Sequence, residues 1–181
     1  MRTFEHLRKQ SVVVAADGYY LRTHRLADGV GFPPSYVDFA TQLGWGRLCG
    51  LLLIYVPLGQ HPDSWLIQGR EIKRYMDEFY DEMEHDPFLL EPDGYKGIEQ
   101  SLMPFARSEN GEYLAWDVAH RNPEGELPIY IITSRMGGIR YGANDLYQFV
   151  KNCSDSAAVK TMFGPGYDSL PPIFEPLPLA T

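Results

Sequence analysis

The feature that most constrains the fold is a run of four strand-like segments joined by short turns. The segments span Leu102 to Ala106, Tyr113 to Val118, Pro128 to Thr133, and Ile139 to Tyr141. Asn110-Gly111 tolerates the positive φ angles of a tight hairpin turn, and glycines at positions 125, 137 and 138 mark the next two turns. Strands that follow one another through such short turns pair antiparallel, so the sequence predicts an antiparallel meander.

Helical spacing precedes the meander in two places. From Tyr36 to Leu43, apolar residues recur at the i, i+3, i+4, i+7 spacing of one helix face, and Gly44 follows where a helix C-terminus favours glycine. A longer helix is predicted over Asp63 to Met83, which Asp63 or Ser64 can cap. Its apolar stripe consists of Ile72, Tyr75, Met76, Phe79, Tyr80 and Met83.

The remaining segments complete an α+β pattern. Leu51 to Val56 is a continuous apolar run typical of a buried strand, and Asn144 can cap a last helix carrying Leu146, Phe149 and Val150. The first part of the chain predicts a short helix over Phe4 to Gln10, a strand over Ser11 to Ala16 and an extended stretch over Tyr19 to Arg22. The sequence thus predicts a single α+β domain, with a mixed or mostly antiparallel sheet of about six strands flanked by helices.

Domain organisation follows from length and from the composition of the C-terminal tail. A chain of 181 residues fits one domain. Residues 164–181 (GPGYDSLPPIFEPLPLAT) are proline-rich, and proline cannot continue a helix or the interior of a sheet. We therefore expect one domain over residues 1–163 and a tail over residues 164–181 that is either a flexible end or an extended strap.

The net charge narrows the choice of partners. The chain has 24 Asp and Glu against 16 Lys and Arg, which gives a net charge of −8. Lys and Arg supply most of a protein's affinity for nucleic acid, so an acidic chain without a basic run is a poor candidate for direct nucleic-acid binding. An acidic surface suits a basic protein partner, because opposite electric fields steer the encounter.

Acidic residues concentrate at the far end of the long predicted helix. Negative charge near a helix C-terminus opposes the macrodipole and costs stability, which suggests another use for these residues. We predict that they contact a partner protein through Asp81, Glu82, Glu84 and Asp86. The alternative is an ordinary solvated charged face.

The sequence shows no pattern for catalysis or cofactor binding. Its five histidines, at positions 6, 24, 61, 85 and 120, have no metal-ligand spacing. Neither the GxSxG of a serine nucleophile nor the GxxxxGK[ST] of a phosphate-binding loop occurs. Cys49 and Cys153 form no CxxC pair and are expected to be reduced, buried or partly buried thiols. We therefore predict no catalytic, cofactor-binding or metal-binding residue.

One arrangement superficially matches a metal-dependent nuclease. Pro62-Asp63 and Glu71-Ile72-Lys73 follow the order of a PD…ExK motif, in which two carboxylates hold a divalent cation and a lysine assists the attacking water. That motif normally places its E-x-K on a strand. Here Glu71 and Lys73 fall in the long predicted helix, about 200° apart around its axis, so they point to opposite sides.

The termini and apolar segments predict a cytoplasmic protein. The opening residues, MRTFEHLRKQ, are charged and lack the apolar segment of a signal peptide. The strongest apolar run, Leu48 to Val56, is too short to span a bilayer. We expect no membrane partner, and the sequence carries no signal for the oligomeric state.

Several short motifs occur in a characteristic order. Residues 32–39 (FPPSYVDF) lead into the helix predicted from Tyr36 to Leu43. MPFA at 103–106 precedes NGEYLAWD at 110–117, and PIY at 128–130 precedes ANDLYQF at 143–149. Over residues 32–150 this set resembles the SUKH superfamily, which includes many bacterial toxin-immunity proteins and a fungal cell-wall-synthesis regulator. The chain departs from the family pattern in having Phe32 for the usual Leu and Glu112 for the commoner Asp.

The resemblance implies both a fold and a function. It assigns structural roles to Pro33, Pro34, Tyr36, Phe39, Gly44, Pro104, Gly111, Trp116 and Asp117. It implies a non-enzymatic immunity protein that neutralises a cognate bacterial toxin, such as a nuclease, by tight binding. The alternatives are a regulatory or scaffolding module, the metal-dependent nuclease, and a sensor with a small-ligand pocket that sequence does not show.

Overall fold

A computed structural model of the chain describes residues 3, 4, 7–9 and 13–179. Within them lie eight strands, β1 to β8, and six α-helices, α1 to α6. The strands are Arg8–Lys9, Gly46–Leu48, Leu52–Ile54, Leu102–Ser108, Tyr113–Asp117, Ile129–Ile132, Ile139–Ala143 and Ile173–Pro176. The helices are Gly18–Thr23, Pro34–Gln42, Trp65–Glu82, Ile98–Ser101, Leu146–Cys153 and Ser156–Phe163, with short 3₁₀ segments at Pro87–Leu90 and Ser134–Met136.

All eight described strands form one sheet in the order β1-β8-β2-β3-β4-β5-β6-β7. Only β1 and β8 pair in parallel, and the other neighbours are antiparallel. The predicted meander is confirmed as β4 to β7, because its short turns bring each strand back beside the one before it. The α+β class is likewise confirmed, with more strands than the roughly six expected from the sequence.

Helices cover both faces of the sheet. Successive side chains of a strand point to opposite faces, so Tyr113 and Trp116 of β5 face different layers. Tyr113 lies 6.3 Å from Tyr75 of α3, measured between ring centroids. Trp116 lies 4.8 Å from Tyr36 of α2. Helix α3 therefore packs on one face, and α2 packs on the other.

An aromatic cluster fixes the centre of the sheet. Trp116 stacks on Phe105 with a ring separation of 4.4 Å and an interplanar angle of 10°. Phe105 lies in a bulge of β4, where the pairing with β5 shifts register between Pro104 and Ala106. Proline is tolerated at a bulge because no ladder hydrogen bond is required of it there. The Pro104 carbonyl accepts a 3.0 Å hydrogen bond from Nε1 of Trp65, the first residue of α3.

The structure corrects the expectation that the proline-rich C-terminal tail cannot join the sheet. Residues 173–176 form β8, which pairs with β2 on one side and β1 on the other. The prolines at 171 and 172 precede this strand, and Pro176 ends it, so they do not interrupt its pairing. Phe174 is fully buried and packs edge-on against Phe39 of α2. The tail is therefore an ordered strap through the sheet, which was one of the two alternatives.

The N-terminal expectations also change. Tyr19 to Arg22 is helical, within α1, because Asp17 caps that helix by accepting a 3.0 Å hydrogen bond from the Tyr20 backbone N–H. The predicted helix over Phe4 to Gln10 is wrong at Arg8–Lys9, which are a strand, and positions 5, 6 and 10 lie outside the described residues. Of the predicted strand over Ser11 to Ala16, positions 11 and 12 lie outside them, and Val14 bridges Trp45.

Two further helix boundaries depend on capping. Ser64, one of the two predicted caps, caps α3 by accepting from the Leu66 N–H. Asp145, rather than the predicted Asn144, caps α5 by accepting a 2.7 Å hydrogen bond from the Gln148 N–H. Both residues fit the role because a short side-chain oxygen can reach the free N–H groups of the first turn. Helix α6 and strand β2 were not expected from the sequence.

Asp117 ends β5 and organises a buried polar cluster. Its carboxylate accepts hydrogen bonds from Tyr95 Oη at 2.8 Å, Ser101 Oγ at 2.7 Å and the Ala119 backbone N–H at 3.0 Å. His120 Nδ1 lies 2.7 Å from the same carboxylate. Burial alone would raise the pKa of Asp117, but these hydrogen bonds outweigh it and lower the pKa below its ordinary value.

We expect Asp117→Asn to lower the free energy of unfolding by about 1–3 kcal/mol near pH 7, because partly buried donors lose a charged acceptor. A carboxylate with a depressed folded-state pKa contributes stability above its unfolded pKa of about 4 and loses it as pH falls further. The deficit of the variant should therefore shrink below that pH. Denaturant unfolding at several pH values measures it, with exposed Glu124→Gln as control; a pH-independent deficit would contradict this account.

Gly44 makes a close backbone approach possible just after α2. Its φ is +70°, and a Cβ added there would lie 2.2 Å from the Val14 carbonyl oxygen. That carbonyl accepts a 3.0 Å hydrogen bond from the Trp45 N–H, which ties the N-terminal segment to the sheet. Glycine is therefore required both for its backbone conformation and for its lack of a side chain.

We expect Gly44→Ala to destabilise the protein more than Gly29→Ala. Gly29 has a similar φ of +77°, but no atom lies within 4 Å of its added Cβ. Gly29→Ala should cost about 1–2 kcal/mol from backbone strain, and Gly44→Ala about 1–3 kcal/mol more from overpacking. Chemical denaturation of both variants measures the difference, and equal losses would show that the contact with Val14 relaxes freely.

Candidate functional site

Most residues to which sequence motifs assign structural roles are buried, whereas Pro34 and Gly111 are exposed. Pro33 and Pro34 stand at the start of α2, and Tyr36 and Phe39 of that helix are fully buried. The Tyr36 hydroxyl donates a 2.7 Å hydrogen bond to the Tyr55 carbonyl. The other members were described with the sheet, except Gly111, whose φ of +98° serves the turn between β4 and β5.

A buried pair that sequence reasoning missed connects two helix starts. Glu126 accepts hydrogen bonds from the Ser35 N–H at 2.8 Å and from Ser35 Oγ at 2.6 Å. Ser35 Oγ in turn accepts from the Leu146 N–H at 3.1 Å. The start of α2 is thereby fixed to the start of α5. Ser35 lies within the FPPSYVDF motif, but its distance of 91 residues from Glu126 left no local signal of the pairing.

The predicted acidic surface is carried by α3. This helix packs its buried residues, Ile72, Met76 and Tyr80 among them, against the sheet and ends at Glu82. Two positive side chains in its middle are paired within the helix: Lys73 with Asp77, and Arg74 with Glu78 at 2.9 Å. Asp81 and Glu82, which follow Glu78 on this helix, have no lysine or arginine partner among the described residues.

The four predicted contact residues lie close together but in different settings. Glu82 and Glu84 are exposed, and their side chains make no hydrogen bond or ion pair within the described part of the chain. Asp81 is exposed and lies 3.2 Å from His85 Nε2. Asp86 is half-buried and accepts a 2.9 Å hydrogen bond from the Phe88 N–H, which caps the 3₁₀ segment. We call these four residues the acidic helix end.

The chain reverses sharply at the acidic helix end. Glu84 and His85 both adopt left-handed backbone conformations, with φ of 53° and 54°. Such conformations are costly for residues other than glycine and occur where surrounding structure imposes them. The reversal brings His85 towards α4, where its Nδ1 lies 3.3 Å from Oε1 of Glu99.

Two depressions lie on either side of the acidic helix end. One, of about 500 Å³, runs along α3 and is lined by residues that include Tyr20, Trp65, Lys73 and Asp81. The other, of about 670 Å³, lies between the end of α3 and α4, and is lined by residues that include His85, Tyr95 and Glu99. Asp81 lines the first and lies 3.2 Å from His85 of the second, so this carboxylate lies between the two.

Exposed apolar side chains accompany these charges. Tyr75 and Met83 are 46% and 43% exposed, and Phe88 is 74% exposed. These large side chains occur within the same stretch of chain as the acidic helix end. Aromatic residues and Met are enriched at protein–protein interfaces, where apolar anchors are surrounded by a polar rim. The surface therefore combines steering charges with apolar contact area.

No group of three or more His, Cys, Asp or Glu able to hold a metal ion occurs among the described residues. Glu71 and Lys73 of the PD…ExK arrangement both lie within α3, on a helix rather than on the strand that this motif requires. Cys49 and Cys153 are both buried free thiols.

The described part of the chain contains no helix long and apolar enough to cross a membrane. Neither a curated protein nor a solved structure matches the chain. A family model does: that of the SMI1 / KNR4 family (SUKH-1) matches residues 24–152, which is most of the chain and includes the motifs at 32–39, 103–117 and 128–149. The chain therefore belongs to the SMI1 / KNR4 family (SUKH-1).

Proposed function

We propose that this protein is a cytoplasmic, non-enzymatic immunity protein that neutralises a basic cognate bacterial toxin by tight binding. SUKH proteins are generally non-enzymatic and bind partner proteins such as toxins. The observation that carries the proposal for this chain is the acidic helix end, where Glu82 and Glu84 are exposed and unpaired beside the exposed Met83.

Electrostatics explains why such a surface suits this task. A toxin that cleaves nucleic acid presents Lys and Arg to the phosphates of its substrate. Carboxylates presented by an inhibitor can occupy the same positions and accelerate association through opposite fields. The exposed Tyr75, Met83 and Phe88 supply apolar area, which slows dissociation once the surfaces meet.

The identity of the partner tests the function. The tagged full-length protein would be expressed in its native host and purified at low and moderate salt, and co-purifying proteins would be identified by mass spectrometry. We expect one stoichiometric partner that carries a basic toxin domain and whose toxicity the protein suppresses on co-expression. The purified complex must also lack toxic activity. Protection on co-expression without formation of a complex would argue against neutralisation by binding.

We expect charge reversal at Glu82 and Glu84 to slow association with that toxin. The double substitution Glu82→Lys and Glu84→Lys should lower the association rate constant at least about tenfold at low salt and flatten its salt dependence. Stopped-flow or surface-based kinetics at several ionic strengths measures both effects. The dissociation rate should change less, since these side chains are exposed.

A matched control separates local contact from overall charge. Glu71 and Glu124 are exposed and do not belong to the acidic helix end. The double substitution Glu71→Lys and Glu124→Lys makes the same change in net charge and should leave association close to wild type. If both double variants slow association equally, the acidic helix end is not the contact surface.

A second candidate function is a regulatory or scaffolding module. It is favoured by the family itself, which includes fungal regulators as well as immunity proteins. The same purification distinguishes the two, because a scaffold would recover signalling or cell-envelope proteins and no toxin domain. Toxicity assays would then show no protection by the protein.

A further inference from the structure

The cavity between the end of α3 and α4 contains a buried carboxylate with an unused acceptor. Glu99 is 5% exposed and is the second residue of α4. Its Oε1 faces His85 Nδ1 at 3.3 Å. Its Oε2 is buried and has no hydrogen-bond partner within the described part of the chain. Buried polar atoms are nearly always hydrogen-bonded, because leaving one unpaired costs its full desolvation free energy.

A second unpaired group lies near Glu99. The Tyr80 hydroxyl of α3 is buried and also has no hydrogen-bond partner in the described structure. Burial raises the pKa of Tyr80, and the nearby Glu99 carboxylate adds to that shift, so the hydroxyl remains neutral. Glu99 Oε2 can only accept a hydrogen bond, whereas the Tyr80 hydroxyl can donate one as well as accept one.

The positive side chains of the protein itself do not fill this role. Lys73 pairs with Asp77, and its ammonium group also donates a 3.4 Å hydrogen bond to the backbone carbonyl of Glu99. Lys96 lies exposed at the rim of the cavity and makes no ion pair with Glu99 in the described structure. No lysine or arginine side chain of the described structure therefore pairs with the Glu99 carboxylate.

We propose that this cavity receives one lysine side chain of the partner protein, with Glu99 Oε2 as the acceptor for its ammonium group. An ammonium has three donors and no acceptor, which complements an unpaired carboxylate oxygen. The alkyl stem would lie along Leu90 and Tyr95, which line the cavity. This site rests on the proposed function, since it assigns one anchor within that protein interface.

His85 controls access to the carboxylate. Its ring is 45% exposed and contacts both Glu99 and Asp81 from the mouth of the cavity. The imidazole therefore competes with an incoming ammonium for Glu99. The neighbouring carboxylates of the acidic helix end attract the cation from a distance, whereas Glu99 binds it where water is excluded and the interaction is stronger.

The test uses n-butylammonium, which has the head and stem of a lysine side chain, and full-length protein labelled with ¹⁵N. Backbone amide shifts would be followed at low ionic strength to about 100 mM probe, a range suited to a weak single-residue contact. We expect saturable shifts centred on His85, Gly97 and Glu99. The neutral probe 1-butanol should not reproduce them. An absence of saturable shifts would overturn the proposal.

Three variants test whether the probe binds at Glu99 or is only attracted by surface charge. Glu99→Gln, which keeps shape and removes the charge, should weaken probe binding about tenfold or more. His85→Ala should strengthen it, because the competing imidazole is removed. Glu71→Gln, the loss of an exposed charge on α3 outside both cavities, should leave it unchanged. Equal weakening in the Glu99 and Glu71 variants, or unchanged binding in Glu99→Gln, would show that only surface charge attracts the probe.

Stability measurements exclude a trivial loss through unfolding. Because Glu99 carries an unpaired buried oxygen, Glu99→Gln should unfold at a denaturant concentration no lower than that of the wild type. The titration contains no partner protein, so it can fail while toxin capture succeeds, and it can succeed while toxin capture fails. The two proposals are therefore tested separately.

Discussion

The contact of Trp116 with Phe105 lies beside the point where the start of α3, the helix that leads to the acidic helix end, is fixed to the sheet. Their stacking is possible because β4 bulges at Pro104, and the Pro104 carbonyl in turn binds the first side chain of α3. From that anchored start, α3 runs for 18 residues, or about 27 Å, before it reaches the acidic helix end. A change at the bulge would therefore displace carboxylates far from it, although no side chain of the bulge contacts them.

Most of the central fold could be predicted because its signals are local. The turns at Asn110-Gly111 and Gly137-Gly138 and the helical spacing of α2 and α3 each lie within a short window of sequence. The strap formed by β8 could not be predicted, because its pairing partner β2 lies more than a hundred residues away and only the folded structure brings them together. The prediction of an extended stretch where α1 begins was wrong for another reason, since Asp17-Gly18 suits a turn and a helix cap equally well.

The sequence predicted only part of the candidate site, again because contacts between segments that are distant in sequence leave no local signal. Exposed carboxylates at a helix end stand out, because they contradict the helix macrodipole. Glu99 does not stand out, since an isolated glutamate in a short helix is ordinarily exposed, and its burial results from packing beneath the reversal at His85. Asp86 differs from Glu99, because its charge suggested contact with a partner protein and the structure shows that it also caps the 3₁₀ segment.

Exposed and buried carboxylates contribute differently to recognition. Exposed charges such as Glu82 act over distance but are screened by salt, so they govern the rate of encounter more than the lifetime of a complex. A buried carboxylate such as Glu99 costs the free protein stability, because one oxygen is unpaired. That cost is recovered only by a cation of the right length, since a neutral or acidic side chain leaves the carboxylate unpaired or repels it. A buried carboxylate with one unpaired oxygen therefore discriminates against wrong partners in a way that a solvated acidic surface does not.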